Sequence, residues 1–137
     1  MKYIKMLFLM FLVSCVNAQD SFPEHLSMYA LISAPEKHSG KVIKIYGYLH
    51  TEYEGDAIYV TSLDYKNALF KNAIALNVAY DSSHRPINKE LDLKKLNNKY
   101  VSLTGTFVTP EFGDSLFTAE IKNITEINLH EMVQEEE

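Results

Sequence analysis

With 137 residues, 47% of them hydrophobic, the chain can build one domain with a real core. A formal charge of −5, with Arg85 the sole arginine, argues against nucleic acid, which draws clustered Lys and Arg. The single cysteine, Cys15, excludes a disulfide framework and any site built from paired thiolates.

The first nineteen residues read as an export signal and not as part of the fold. Lys2 and Lys5 flank the start of an apolar run over 6–13 (MLFLMFLV) that is too short to span a bilayer. Leu12-Val13-Ser14-Cys15 then resembles the lipobox of bacterial lipoproteins. That resemblance implies cleavage before Cys15 and acylation of its thiol and amine. The result would be a periplasmic domain held to a membrane only through a lipid anchor at Cys15. Val16 stands where enteric lipoproteins retained at the inner membrane carry aspartate, so the resemblance implies an outer-membrane address. The alternative is ordinary secretion, with cleavage after Val16-Asn17-Ala18 and Gln19 as the new N-terminus. Either route removes two lysines and no acid, so the exported domain is more acidic than the whole chain.

Residues 20–23 read as a polar tether. From 25 to 36, Leu26, Tyr29, Ala30 and Ile32 recur at three- and four-residue intervals. That spacing predicts a short helix with one apolar stripe, closed by Pro35 and Gly40. Residues 42–50 alternate instead. Ile43, Ile45, Gly47 and Leu49 face one way; Lys44, Tyr46, Tyr48 and His50 face the other. The first set is the expected core face, and Gly47 within it predicts a sharply coiled or bulged strand. Tyr53-Glu54-Gly55-Asp56 supplies a turn, and 57–61 returns as a second strand.

A short helix or ordered loop is expected over 62–71, a third strand over 73–80 and a turn-rich loop over 81–86. The linker 87–96 carries Ile87, Leu91 and Leu93 at partly helical spacing. Residues 98–119 then repeat 40–61 without a gap at a shift of 58 positions. Lys41 falls on Lys99, Gly47 on Gly105, Thr51 on Thr109, and Gly55-Asp56 on Gly113-Asp114. Apolar positions match too: Ile43 with Val101, Ile45 with Leu103, Leu49 with Phe107, Ile58 with Leu116. Ile121, Ile124, Ile127 and Leu129 predict a last strand whose phase slips by one residue, as a bulge would cause. The acidic tail, 131–137, is expected to be solvated.

A leading helix, a long hairpin, a third strand, a helical linker and a second long hairpin together resemble the OB-fold. The residues carrying that resemblance are the two matching strand starts, Gly40-Lys41-Val42 and Asn98-Lys99-Tyr100-Val101, each with its interior glycine. The resemblance implies an all-β fold with minor α, a five-stranded Greek-key barrel over residues 20–130, similar to small exported OB proteins of bacteria. It also implies that the turns at 53–56 and 111–114 flank the ligand-binding face.

Those turns carry Tyr53, Glu54 and Asp56 on one side and Glu111, Phe112 and Asp114 on the other. Four carboxylates with two rings would make an acidic rim suited to a basic segment of an envelope protein. A hard cation such as calcium, which prefers oxygen ligands, is the weaker alternative at that rim, because no spaced D-x-D-x-D loop is present, and no metal site is assigned. Gly-Asp is equally plain turn chemistry. A second candidate surface is Tyr46 with Tyr48, since rings on an OB sheet can stack sugars. Tyrosines on a half-exposed strand also serve as cover for a helix, here the one over 25–36.

His25, His38, His50, His84 and His130 lack ligand spacing. His50 with Glu52 or Glu54 is the candidate acid–base set, without a nucleophile elbow or a phosphate-binding glycine loop. Neither an enzyme nor a cofactor is expected. The sequence therefore predicts a non-catalytic binding module of the cell envelope. Its partner would be an envelope protein at the acidic rim or, alternatively, a small ligand or oligosaccharide at the tyrosine face.

Overall fold

The computed structural model describes residues 22–52, 55–79, 88, 91–110 and 115–131. Its organising element is strand β2 (Val42–His50), whose alternation is the one read from the sequence. Ile43, Ile45 and Leu49 are fully buried, whereas Val42 and Tyr46 stand exposed. β2 pairs antiparallel with β5 (Lys99–Val108) along nearly its whole length, from Val42 opposite Thr106 to Leu49 opposite Lys99.

The other edge of β2 is shared between two shorter strands. β1 (Glu24–His25) runs parallel to Ile43 and Lys44, and β3 (Ala57–Tyr59) runs antiparallel to Tyr48–His50. β3 continues into β4 (Ala73–Leu76), β4 pairs parallel with β6 (Glu120–Leu129), and β6 pairs antiparallel with β5. The circuit β2-β3-β4-β6-β5 closes back on β2. This is a five-stranded barrel with the OB order and its single parallel closure. β1 was not anticipated; two residues give too short a pattern to read.

The helix α1 (Met28–Ser33) is capped by the Ser27 hydroxyl, which accepts from the Ala30 N–H at 3.1 Å. It buries Met28 and Leu31 into the barrel core, with Leu26 and Ile32 packed alongside. The expected stripe through Tyr29 and Ala30 is corrected: Tyr29 is 68% exposed. Met28, Leu31 and Ile32 keep the same i, i+3, i+4 spacing one residue out of phase, and Met28 fits the core.

Between β3 and β4 the expected helix exists as α2 (Ser62–Lys66) with a 3-10 turn after it, Phe70–Asn72. Among the described residues of the linker the helix is a single turn, α3 (Leu93–Leu96), with Leu91 and Leu93 buried; Ile87 lies outside the described residues.

The repeat holds for the first strand of each unit and then breaks. Gly47 and Gly105 both lie where a Cβ would collide, with Ile58 Cγ1 at 2.7 Å and with Ile121 Cγ2 at 2.5 Å. Past the turns the two units differ. Residues 116–118 form a bend, β6 begins only at Glu120, and Leu116 is 56% exposed where Ile58 is fully buried. A slip in the last strand is present, but β6 carries two extra residues and not the one expected. The inward placement of Leu129 is corrected, since it is 49% exposed. Thr104 pairs with Glu126 but Thr106 pairs with Lys122, so β6 carries extra residues opposite Gly105. Ile121, Ile124 and Ile127 consequently all reach the core.

Candidate functional site

The outward side chains of β2 fall into two groups of different availability. Tyr48 and His50 lie under α2, which crosses this side of the barrel. The Tyr65 ring stacks on His50 at 3.9 Å, lies 6.0 Å from Tyr48, and meets Tyr59 edge-on at 5.4 Å. Tyr100 closes the cluster, 5.5 Å from Tyr48 and nearly perpendicular to it. Tyr59, Ala57 and Ala73 form its buried floor, with Phe70 and Phe117 packed at the side.

Polar tips are tied off around the rings. Asn98 Oδ1 takes the Tyr48 hydroxyl at 3.4 Å and shares a 2.8 Å hydrogen bond with His50 Nδ1. His50 Nε2 lies 3.8 Å from the Glu52 carboxylate. The Tyr100 hydroxyl accepts from the Ser62 N–H at 3.1 Å. Burial first, then the phenols of Tyr65 and Tyr100, pushes the Tyr48 hydroxyl above its ordinary value. For Tyr59 the causes are burial, then Glu52 and Tyr65. These rings act as a satellite core. Tyrosines on this strand do cover a helix, but it is α2 and not the expected helix over 25–36.

Tyr46 belongs to the other group. It is 43% exposed, and its ring leans on His130 with centroids 4.6 Å apart at 50°. Across the sheet it pairs with Ser102, which pairs with Asn128. One register step away stands Glu126, pinned from three sides. Asn128 Nδ2 donates to Oε1 at 2.8 Å, Thr104 Oγ1 donates to Oε2 at 3.3 Å, and Lys44 Nζ lies 3.6 Å from Oε2. Tyr46 and the pinned Glu126 thus stand two strands and one register step apart. A half-open ring can stack one face of a ligand, and polar groups farther along the sheet can hydrogen-bond the rest of it.

The acidic-rim residues divide differently. Tyr53, Glu54, Glu111, Phe112 and Asp114 lie outside the described residues, as does Cys15. Asp56 is described, and it is 8% exposed at the start of β3, its carbonyl accepting from Leu76 N at 2.8 Å. A carboxylate buried to that degree presents little surface to a docking partner.

No family model matches the chain, and no curated protein does. Among solved structures, one described as a putative aspartyl-tRNA synthetase from Leishmania major Friedlin is similar over 85% of this chain and 22% of its own. The TM-score is 0.48 and the identity 13%. This chain thus spans about a fifth of that protein's length, and the likeness carries no functional assignment.

His130, Glu126, Asn128 and Tyr65 were missed by sequence reasoning. Tyr65 sat in a stretch expected as a short helix or ordered loop, with nothing to say which way its ring turned. His130, Glu126 and Asn128 become neighbours of Tyr46 only through pairing across β5, which no local pattern encodes.

The cover over Tyr48 is held by Asp64. Its carboxylate accepts from the Thr61 hydroxyl and from Asn72 Nδ2 at 2.7 Å, while the Thr61 hydroxyl caps α2 through the Asp64 N–H. Burial works against the charged form, but the hydrogen bonds from Asn72 and Thr61 outweigh it and hold the pKa below the usual carboxylate value. Asp64→Ala is expected to lower stability by about 1–2 kcal/mol, a charged hydrogen-bonding contribution reduced for partial exposure. A lowered folded-state pKa gives stability that is present above the ordinary value of about 3.9 and lost as pH falls through the folded one. In urea melts the gap between wild type and Asp64→Ala should therefore be full at neutral pH and close below about pH 4. A gap unchanged at low pH would show that the ionised carboxylate is not what holds the cover.

Proposed function

We propose that this protein is an exported, non-catalytic binding module of the bacterial cell envelope, anchored through a lipid at Cys15, whose ligand is an oligosaccharide. The observation that carries this reading is Tyr46. Of the two outward tyrosines on β2 it is the one left half-open, its ring leaning only on His130 among the ring contacts of the described residues. A sugar has an apolar C–H face for such a ring and hydroxyls for the acid, amide and ammonium around it. The acidic rim as a protein-docking surface is the weaker reading, since Asp56 is buried.

The test is binding of purified cell-wall glycan fragments to the full chain in detergent micelles. Tyr46→Ala should raise the dissociation constant tenfold or more, equal to about 1.4 kcal/mol. Tyr48→Ala should cost stability and leave affinity nearly unchanged. Equal affinity for wild type and Tyr46→Ala would overturn the assignment. Loss confined to Glu54→Ala and Glu111→Ala would return it to the acidic loops.

A further inference from the structure

A separate cavity of about 340 Å³ opens where the end of β4 meets the bulge of β6. Its size falls in the range of small-molecule sites, about 300–1,000 Å³. Val78, Leu91 and Ile124 give it an aliphatic wall; Asn77, Lys122 and Asn123 give it a polar one. Tyr46 and His130 take no part in it.

Two features of the backbone create the polar wall. The extra residues of β6 carry Asn123 at a φ of +49°, a left-handed conformation that asparagine tolerates better than most residues. Gly105 stands opposite, where any Cβ would meet Ile121 Cγ2 at 2.5 Å and the Lys122 carbonyl at 3.0 Å. Bulges of this kind re-aim side chains, and this one brings Lys122, Asn123 and Ile124 to one opening.

The charges at the rim cancel each other. Lys122 Nζ is 3.4 Å from Glu120 Oε2, and Glu120 Oε1 accepts from Asn77 Nδ2 at 2.6 Å. Lys122, the one charged residue among the described lining residues, already has Glu120 as its counter-ion, so it offers an anion no uncompensated charge and repels a cation. Among the described lining residues none carries a ring on which a base could stack. What remains complementary is a neutral molecule with many hydroxyls, whose donors and acceptors match carboxamides and whose C–H edge matches Leu91 and Ile124.

We infer that this cavity is a second binding site, for a neutral polyhydroxylated ligand the size of a monosaccharide. It uses residues distinct from the Tyr46 face and stands or falls independently of it. The experiment is a titration of the ¹⁵N-labelled full chain in phosphocholine micelles with glucose and N-acetylglucosamine, alongside inorganic phosphate and acetate. At least one neutral sugar should shift the side-chain NH₂ signals of Asn77 and Asn123 saturably, and Tyr46→Ala should leave those shifts in place. Asn123→Gly keeps the left-handed backbone but removes the carboxamide; it should weaken the binding tenfold or more. Ala79→Trp, adding bulk at the exposed rim of the cavity, should do the same while the remaining spectrum stays folded. Shifts produced by phosphate alone would make it an anion site centred on Lys122 and overturn the inference. So would no response to either sugar, or equal affinity in Asn123→Gly.

Discussion

Phe107→Ala is expected to lower stability by about 3–5 kcal/mol, the largest effect of any single truncation in this barrel. Phe107 is the bulkiest fully buried side chain described, on β5 opposite Ile121. Its backbone is also fixed: its N–H donates to the Lys41 carbonyl at 3.0 Å, and its carbonyl accepts from Gly40 N at 2.7 Å. The strand carrying the ring is therefore held at this point and cannot move inward to close the space left behind. Against a total of about 5–15 kcal/mol, the loss should appear as a fall in melting temperature on the order of 10–20 °C. Leu116→Ala is the control. Leu116 is 56% exposed, so its removal should change stability by less than about 0.5 kcal/mol. A Phe107→Ala loss below about 1 kcal/mol would mean that the β5–β6 seam packs differently.

That contrast marks what the sequence made legible. Phe107 and Leu49 share a place in the repeat, and both are buried, because alternation along a strand with one face inward has period two and needs nothing beyond the strand itself. Gly47, Gly105 and the slipped phase of Ile121, Ile124 and Ile127 were readable for the same reason. Ile58 and Leu116 matched equally well in sequence and ended in opposite environments, since the path of the chain beyond a turn is decided by its new neighbours. β3 pairs with β4, whereas residues 116–118 bend before β6 begins. The Tyr29 stripe failed by one residue because the apolar side chains of a six-residue helix fit two phases, and only the core chooses between them.

The candidate site was legible only in half. Tyr46 and Tyr48 were both placed outward by alternation. Their division into a half-open ring and a covered one depends on α2, whose Tyr65 is recruited by His50 and Tyr48 across a gap in sequence. Asp56 was singled out by its charge and by its place in the repeated turn, and neither says anything about depth. Its 8% exposure comes from standing at the mouth of β3 against β4.

Gly47 joins the fold to the site, and Gly47→Ala is the second change with a large expected effect. β2 exchanges one neighbour for another around this residue, pairing with β1 up to Lys44 and with β3 from Tyr48 onward. A Cβ here would lie 2.6 Å from the Tyr59 carbonyl oxygen and 2.7 Å from Ile58 Cγ1 and Met28 Sδ. The carbonyl belongs to a paired strand and cannot swing aside as a side-chain tip can. Even the smallest addition should cost about 1–3 kcal/mol by overpacking, although alanine elsewhere in a strand is no worse than glycine. Met28→Ala on the same chain relieves one of the three contacts. The double variant should thus lose less than the two single losses added together, with a coupling of about 0.5–3 kcal/mol. Strict additivity in urea melts would show that α1 is not pressed against β2 at this point. The strand must also shift to accommodate the methyl group, carrying Tyr46 and Tyr48 on either side of it. Glycan affinity should therefore fall in Gly47→Ala even under conditions where the protein remains folded, and Met28→Ala should restore part of it.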